Sequence, residues 1–151
     1  MKTTIKTLDE MTAREWCQLL EERVKVFVVE QHCPYQEMDA DDYHAHHLTL
    51  RNDAGELVGY TRIYRRADGR VTFGRVLFPL EHRKHHYGRL LVEQTIAATH
   101  RLFPGAPIKI QAQAYLKKFY GSLGFRAVSD VYLEDGIPHL DMVLKGADEH
   151  E

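Results

Sequence analysis

The sequence predicts a mixed α/β domain built on one sheet, and three observations predict it. The chain has 151 residues, 44% hydrophobic and 28% charged, which is the length and balance of one globular domain spanning residues 1–151. Apolar residues recur with strand spacing in some segments and helix spacing in others. The order is strand, helix, three strands, helix, strand, helix, two strands. The stretch from Val71 to Ala114 has the length of a strand–helix–strand crossover, which makes its two strands parallel.

Thr3 to Leu8 reads as an opening strand. Thr12-Ala13-Arg14-Glu15 is a capping box, with Thr12 on the first free N–H groups and Glu15 reaching back. Trp16, Leu19, Leu20, Arg23, Val24, Phe27 and Val28 follow at near-helical spacing, with Arg23 a polar break in the stripe, so the helix runs to about Val29. Glu30 to Tyr43 is polar, holds Pro34 and three aspartates, and is long enough for a functional loop. His46 to Arg51, Leu57 to Arg65 and Val71 to Phe78 form an antiparallel meander, turned at Asn52–Gly55 and Ala67–Arg70. Pro79 stops the third strand. A second helix runs from Tyr87 to about Leu102, with Leu90, Leu91, Gln94, Thr95, Ala98 and Leu102 on one side, and Pro104-Gly105 ends it. Ile108 to Ala114 alternates like a half-covered strand. Tyr115 to Leu123 is a short helix closed by Gly124. Val128 to Leu133 and His139 to Leu144 are the last strands, turned at Glu134-Asp135-Gly136, and the tail from Lys145 to Glu151 is polar and has the composition of a frayed end.

Composition excludes several functions. The net charge is −2, so no basic field points to nucleic acid. No apolar run reaches the roughly 20 residues of a membrane span, and Met1 to Leu8 has no signal-peptide core. Two cysteines, Cys17 and Cys33, make no disulfide framework; reduced thiols and a cytoplasmic location follow as the default. Of the 10 histidines, six fall in two clusters: His44, His46 and His47, then His82, His85 and His86. His44 and His46, with Asp42 nearby, offer a minor metal-binding reading, although the spacing matches no standard zinc site, so no metal is assigned.

The chemistry concentrates between the third meander strand and the second helix. There Arg83, Lys84 and Arg89 surround a helix N-terminus whose first N–H groups have no intrahelical partner. Gly88 lets a ligand approach the backbone. Such a junction suits a pyrophosphate, and equally a solvated basic turn.

These residues resemble a family. Arg83-x-x-x-x-Gly88 after a strand looks like the acetyl-CoA loop of the GNAT superfamily of N-acetyltransferases, and Phe119-Tyr120 followed by Gly124-Phe125 looks like its C-terminal signature. Val26 to Gln31, Cys33-Pro34-Tyr35, Glu37, Asp39 and Asp42, together with Ala112-Gln113-Ala114 and Glu134 to His139, are similar to the ElaA-like subgroup. The resemblance runs from Arg23 to Met142. One departure is His86, where the family's first loop glycine is usual.

The resemblance implies a central mixed sheet of about seven strands with a splayed parallel pair and flanking helices. It implies acetyl-CoA as co-substrate, its pantetheine along Val76, Leu77 and Phe78, and its pyrophosphate on the N–H groups of His85, His86, Tyr87, Gly88 and Arg89, with Arg83 and Lys84 beside it. Gln113 and Phe119 complete the cofactor contacts. Tyr120 falls at the family's general acid. For the general base, Glu30, Glu37, His46, His47 and His139 all remain candidates by chemistry, with His139 and Glu30 the foremost. Cys33 has no base to activate it as a nucleophile. The acids of the loop, Glu30, Glu37, Asp39, Asp41 and Asp42, are expected to line the acceptor pocket and draw in a cationic amine.

The implied activity is transfer of an acetyl group to a primary amine, on a small molecule or a peptide, by direct attack. A non-catalytic acyl-CoA-binding module and an acyl-homoserine-lactone-synthase-like enzyme are the alternatives. The latter relies on a Trp after the first helix, and Trp16 lies before that point. Neither nucleic acid nor a membrane is an expected partner. Oligomeric state stays open, with dimers common on such folds.

Overall fold

In the computed structural model, described for residues 1–146, eight strands form one sheet. They are β1 (Lys2–Lys6), β2 (His46–Arg51), β3 (Leu57–Arg65), β4 (Val71–Leu77), β5 (Ile108–Gln113), β6 (Arg126–Ala127), β7 (Tyr132–Glu134) and β8 (Ile137–Leu144). The order across the sheet is β1-β2-β3-β4-β5-β8-β6, with β7 also paired to β8. Three helices flank it: α1 (Ala13–Val24), α2 (Gly88–Leu102) and α3 (Lys117–Ser122). The strand, meander and crossover order expected from the sequence holds. Every adjacent pair is antiparallel except β4 and β5, which are parallel.

The capping box forms as read. The Glu15 N–H donates to Thr12 Oγ1 at 3.0 Å, and the Thr12 N–H donates to Glu15 Oε1 at 2.8 Å. Lys6 Nζ adds an ion pair to Glu15 at 2.9 Å, tying β1 to the start of α1. Beyond Val24 the helix continues but widens into a π turn over Lys25–Glu30, a change the sequence periodicity does not show.

Helix α2 buries Leu91, Val92, Thr95, Ala98 and Thr99. Gln94, expected on this face, is exposed instead, because the buried stripe lies one residue further round. The helix approaches the sheet closely at Gly59, where a Cβ would stand 3.3 Å from Leu91 Cδ2. Thr61 and Thr95 hydroxyls meet at 2.9 Å across that seam.

Two apolar clusters divide the interior. The larger lies on the α2 and α3 side and includes Leu48, Leu50, Ile63, Phe73, Ile108, Ile110, Ala112, Leu140 and Met142. The smaller, Leu19, Val26, Tyr60 and Leu77, lies under α1. The expected strand from Val128 to Leu133 is replaced by two short ones, β6 and β7. Between them, Ser129 Oγ accepts the Asp141 N–H at 2.9 Å and so takes a bond that a strand carbonyl would accept. Only the last residue of the expected helix from Tyr115 to Leu123 falls beyond α3, as its C-cap, and the first two belong to a separate 3₁₀ turn, Ala114–Leu116. The tail beyond Gly146 lies outside the described residues.

Candidate active site

β4 and β5 are in register only at Val71 and Ile108, although the strands run on to Leu77 and Gln113. They part toward their C-terminal ends and open a gap in the middle of the sheet. A bulge in β4 assists: Tyr60 and Arg62 of β3 stand opposite Leu77 and Gly74, so three steps on β4 match two on β3. Arg75 takes the strained position, at φ 53°. Val76 and Phe78 pack toward α2, and the buried Leu77 toward α1.

Beneath the gap a 3₁₀ turn, Leu80–His85, leads into α2. His86 adopts a left-handed conformation, φ 57° and ψ 43°, which a histidine tolerates better than a branched residue does. The departure from the usual glycine is therefore accommodated. Tyr87 is the N-cap of α2 but its side chain does not cap the helix N–H groups, and no acid lies in the first turn. A Cβ at Gly88 would meet only Phe78 Cζ, at 3.9 Å. Packing does not require glycine there; its effect is to keep the helix end open to an anion. Arg89 turns toward α3, donating to Ser122 Oγ at 3.2 Å and pairing with Glu93. The side chains of Lys84 and His85 lie outside the described residues.

Arg83 is engaged on two sides. Its Nε donates to the Phe78 carbonyl at 2.9 Å, while Nη1 and Nη2 donate to the two Glu30 oxygens at 2.6 and 2.8 Å. The Phe78 carbonyl is thus taken by Arg83. The hydrogen bond and charge of Arg83 hold the Glu30 carboxyl below the usual carboxylate range, which makes Glu30 a poor base.

Tyr120 sits on the α2 side of the sheet, 5% exposed, in the same apolar cluster as Val76, Phe78, Tyr87, Ala112 and Phe119. Its ring packs edge-on against Phe119 and Phe125 at 5.3 and 5.7 Å. Burial, with nearby Tyr115, pushes its hydroxyl up to about 12, so it stays protonated at neutral pH. On β8, His139 is directly opposite Gln113 of β5. Ile110 and Ala112 face the α2 side, so Gln113 and His139 face the other. The His139 Nδ1–H donates to the Ile137 carbonyl at 2.7 Å, and its ring stacks on Tyr132 at 6.4 Å. This fixes the tautomer and leaves Nε2 as the basic nitrogen. Tyr120 and His139 therefore lie on opposite faces of the sheet, His139 on β8, one strand beyond β5 from the gap.

The loop acids do something other than expected. Arg23, the polar break of α1, is fully buried. Its N–H groups reach Glu37 Oε2 at 2.8 Å, the Glu37 carbonyl at 3.1 Å, Asp42 Oδ1 and Oδ2 at 2.8 and 3.1 Å, and Tyr60 Oη at 3.4 Å. Arg62 clamps Asp39 at 2.7 and 3.1 Å, and Arg75 reaches Glu37 Oε2 at 3.1 Å and Asp39 Oδ2 at 3.4 Å. Burial alone would push the Asp42 carboxyl up; the hydrogen bonds and charges of Arg23 and Arg62 and the Asp39 N–H outweigh it and hold it at about 2. Glu37, Asp39 and Asp42 are thus spent on arginines and do not form an acceptor-attracting surface. Glu37 Oε1 and Arg62 Nε remain buried without a partner.

The sequence reading missed Tyr60, Arg62 and Arg75. The available signal was three arginines at apolar or strand positions, matched in number by Glu37, Asp39 and Asp42 in one loop.

The first histidine cluster disperses. His44 pairs with Asp41 at 3.3 Å, and His46 lies edge-on to Phe103. His47 is buried, its Nε2–H donating to the Asp42 carbonyl at 3.1 Å while Nδ1 accepts from Tyr60 Oη at 2.6 Å. That bonding, with burial lowering its basicity, makes His47 a structural group and removes it from the candidate bases. Among the described residues no group of three His, Cys, Asp or Glu side chains converges on a metal position.

Residues 13–145 match the family model of an acetyltransferase (GNAT) domain. Protein ElaA of Escherichia coli strain K12 is 41% identical over 138 residues, covering 88% of this chain and 89% of ElaA. The crystal structure of ElaA superposes with a TM-score of 0.87, over 96% of this chain and 100% of that one. An acyl-CoA N-acyltransferase from Pseudomonas aeruginosa also superposes at 0.87, with 41% identity over 95% of this chain and 99% of its own.

Proposed function

Because this chain belongs to the acetyltransferase (GNAT) family and is an enzyme of the N-acetyltransferase type, we propose that it moves an acetyl group from acetyl-CoA to a primary amine by direct attack. The observation that carries the proposal is the gap between β4 and β5, with the open end of α2 at Gly88 and the protonated Tyr120 on one side and the basic His139 Nε2 on the other. Val76 and the end of β4 line the pantetheine path, and the N–H groups of the first turn of α2 take the pyrophosphate. Gln113 stands at the far wall of the gap.

His139 Nε2 takes a proton from the ammonium or from the attacking amine. The amine nitrogen forms a bond to the thioester carbonyl carbon as the carbon–sulfur bond breaks. Tyr120 gives its proton to the leaving thiolate and recovers one from solvent. The acceptor is a small-molecule or peptide amine. The described helices include none long and apolar enough to cross a membrane, and both cysteines are free, which fits a reducing compartment such as the cytoplasm.

The test is a screen of primary amines with acetyl-CoA, scored by free thiol release and acetylated product. Tyr120→Phe is expected to bind acetyl-CoA normally and to lower kcat about 10²- to 10⁴-fold. Tight binding with no turnover on any amine would favour the non-catalytic acyl-CoA module instead.

A further inference from the structure

The geometry of Arg83 assigns Glu30 a role that neither acid–base chemistry nor acceptor binding describes. The two residues are 53 positions apart in sequence, yet Glu30 meets the guanidinium with both carboxylate oxygens, at 2.6 and 2.8 Å. Glu30 ends the π turn after α1, and Arg83 lies in the turn that leads into α2. The pair thus bridges the segment that follows α1 and the turn that leads into α2. Arg83 is held in place independently, through Nε to the Phe78 carbonyl at the end of β4. If Glu30 leaves, the guanidinium stays where it is, with its two outer nitrogens free.

We infer that Glu30 is a specificity residue of the acyl-donor site: its carboxylate occupies the face of Arg83 that a pyrophosphate oxygen takes when the donor binds. This inference rests on the acyl-CoA reading above and adds to it. The geometry of the two ligands is matched, since a planar guanidinium binds a carboxylate and a phosphate through the same pair of parallel N–H bonds. Both partners are partly exposed, Arg83 33% and Glu30 45%, so exchange needs no burial of an unpaired charge. An acyl-pantetheine, which has no phosphate bridge to offer, cannot displace the carboxylate; an acyl-CoA can.

The experiment is calorimetric binding of CoA, dephospho-CoA and pantetheine to the wild type, Glu30→Gln, Arg83→Gln and the double variant, with melting curves to show that each is folded. Glu30→Gln is expected to bind CoA about two- to fivefold tighter, the range a part-exposed ion pair is worth. Dephospho-CoA, which keeps the pyrophosphate and lacks the 3′-phosphate, is expected to show the same gain, and pantetheine none. In the Arg83→Gln background, Glu30→Gln is expected to change nothing. Unchanged or weaker CoA binding by Glu30→Gln overturns the inference. So does a gain that persists without Arg83, which would mark simple repulsion between Glu30 and phosphate. A gain confined to CoA places the contact on the 3′-phosphate and overturns the pyrophosphate assignment. If neither the wild type nor Glu30→Gln binds CoA at all, the acyl-CoA reading itself fails.

Discussion

Asp42 is where the buried charges balance. It accepts from both outer nitrogens of Arg23, lies 3.2 Å from Arg62 and accepts the Asp39 N–H at 3.0 Å. A buried ion pair adds little over a well-packed apolar contact, but removing one partner leaves the other charge unpaired in a poor solvent. Asp42→Asn keeps the shape and deletes the charge, so two buried arginines lose a shared anion. The expected cost is about 3–5 kcal/mol of unfolding free energy, read from urea denaturation. A loss below about 1 kcal/mol would mean that the pair behaves like a surface ion pair. The sequence shows Arg23 only as an interruption in an apolar stripe. That it is a fully buried hub follows from its partners, which come from a loop 14 to 19 residues later and from a strand 37 residues later.

At the scale of elements, the N-terminus of α2 was legible because its determinants are local. Pro79 ends β4, basic residues follow, and Gly88 opens the helix, all within ten positions. The structure adds why Gly88 matters. A side chain there clashes with nothing, since its nearest neighbour would be Phe78 Cζ at 3.9 Å. Gly88→Glu is therefore expected to melt at or above the wild-type temperature, because an acid in the first turn suits the helix dipole. The same carboxylate would face the pyrophosphate, and acyl-CoA affinity is expected to fall about tenfold or more in calorimetry. A variant that binds normally would move the phosphate site away from α2. The π turn and the β4 bulge were not legible. Each inserts a residue into a regular ladder for the sake of contacts elsewhere: the bulge turns Arg75 toward Glu37 and Asp39, and nothing in the composition of β4 requires it.

For the whole molecule, the buried charges and hydroxyls set the pH range of stability. His47 is held neutral, with its folded basicity below the ordinary value of 6.5, so its contribution is complete above that pH and is lost as pH falls below it. Asp39 and Asp42 are held below the ordinary 3.8 by their arginines against the opposing effect of burial, Asp42 at about 2. Their contribution is complete above the ordinary value and is lost as pH falls from 3.8 toward 2. Burial raises Tyr60 and Tyr120 above their ordinary 10, Tyr120 to about 12, so their contribution is present below pH 10 and is lost above it. Melting temperature is expected to be level from about pH 7 to 10, to decline first below about 6.5 and to fall steeply below about 4. In His47→Gln the first decline should vanish; a decline that persists would assign it to another group. The amino-acid sequence by itself determined the succession of strands and helices up to α3, the parallel crossover, the capped first helix, the basic, glycine-bearing start of α2 and the helix that carries Tyr120, because their signals lie in residue patterns along the chain. Only the tertiary structure decided that the loop acids neutralise buried arginines, that His139 stands opposite Gln113, and that Glu30 covers Arg83. Those pairings join segments 14 to 53 residues apart, and no local pattern specifies which distant charge a side chain will meet.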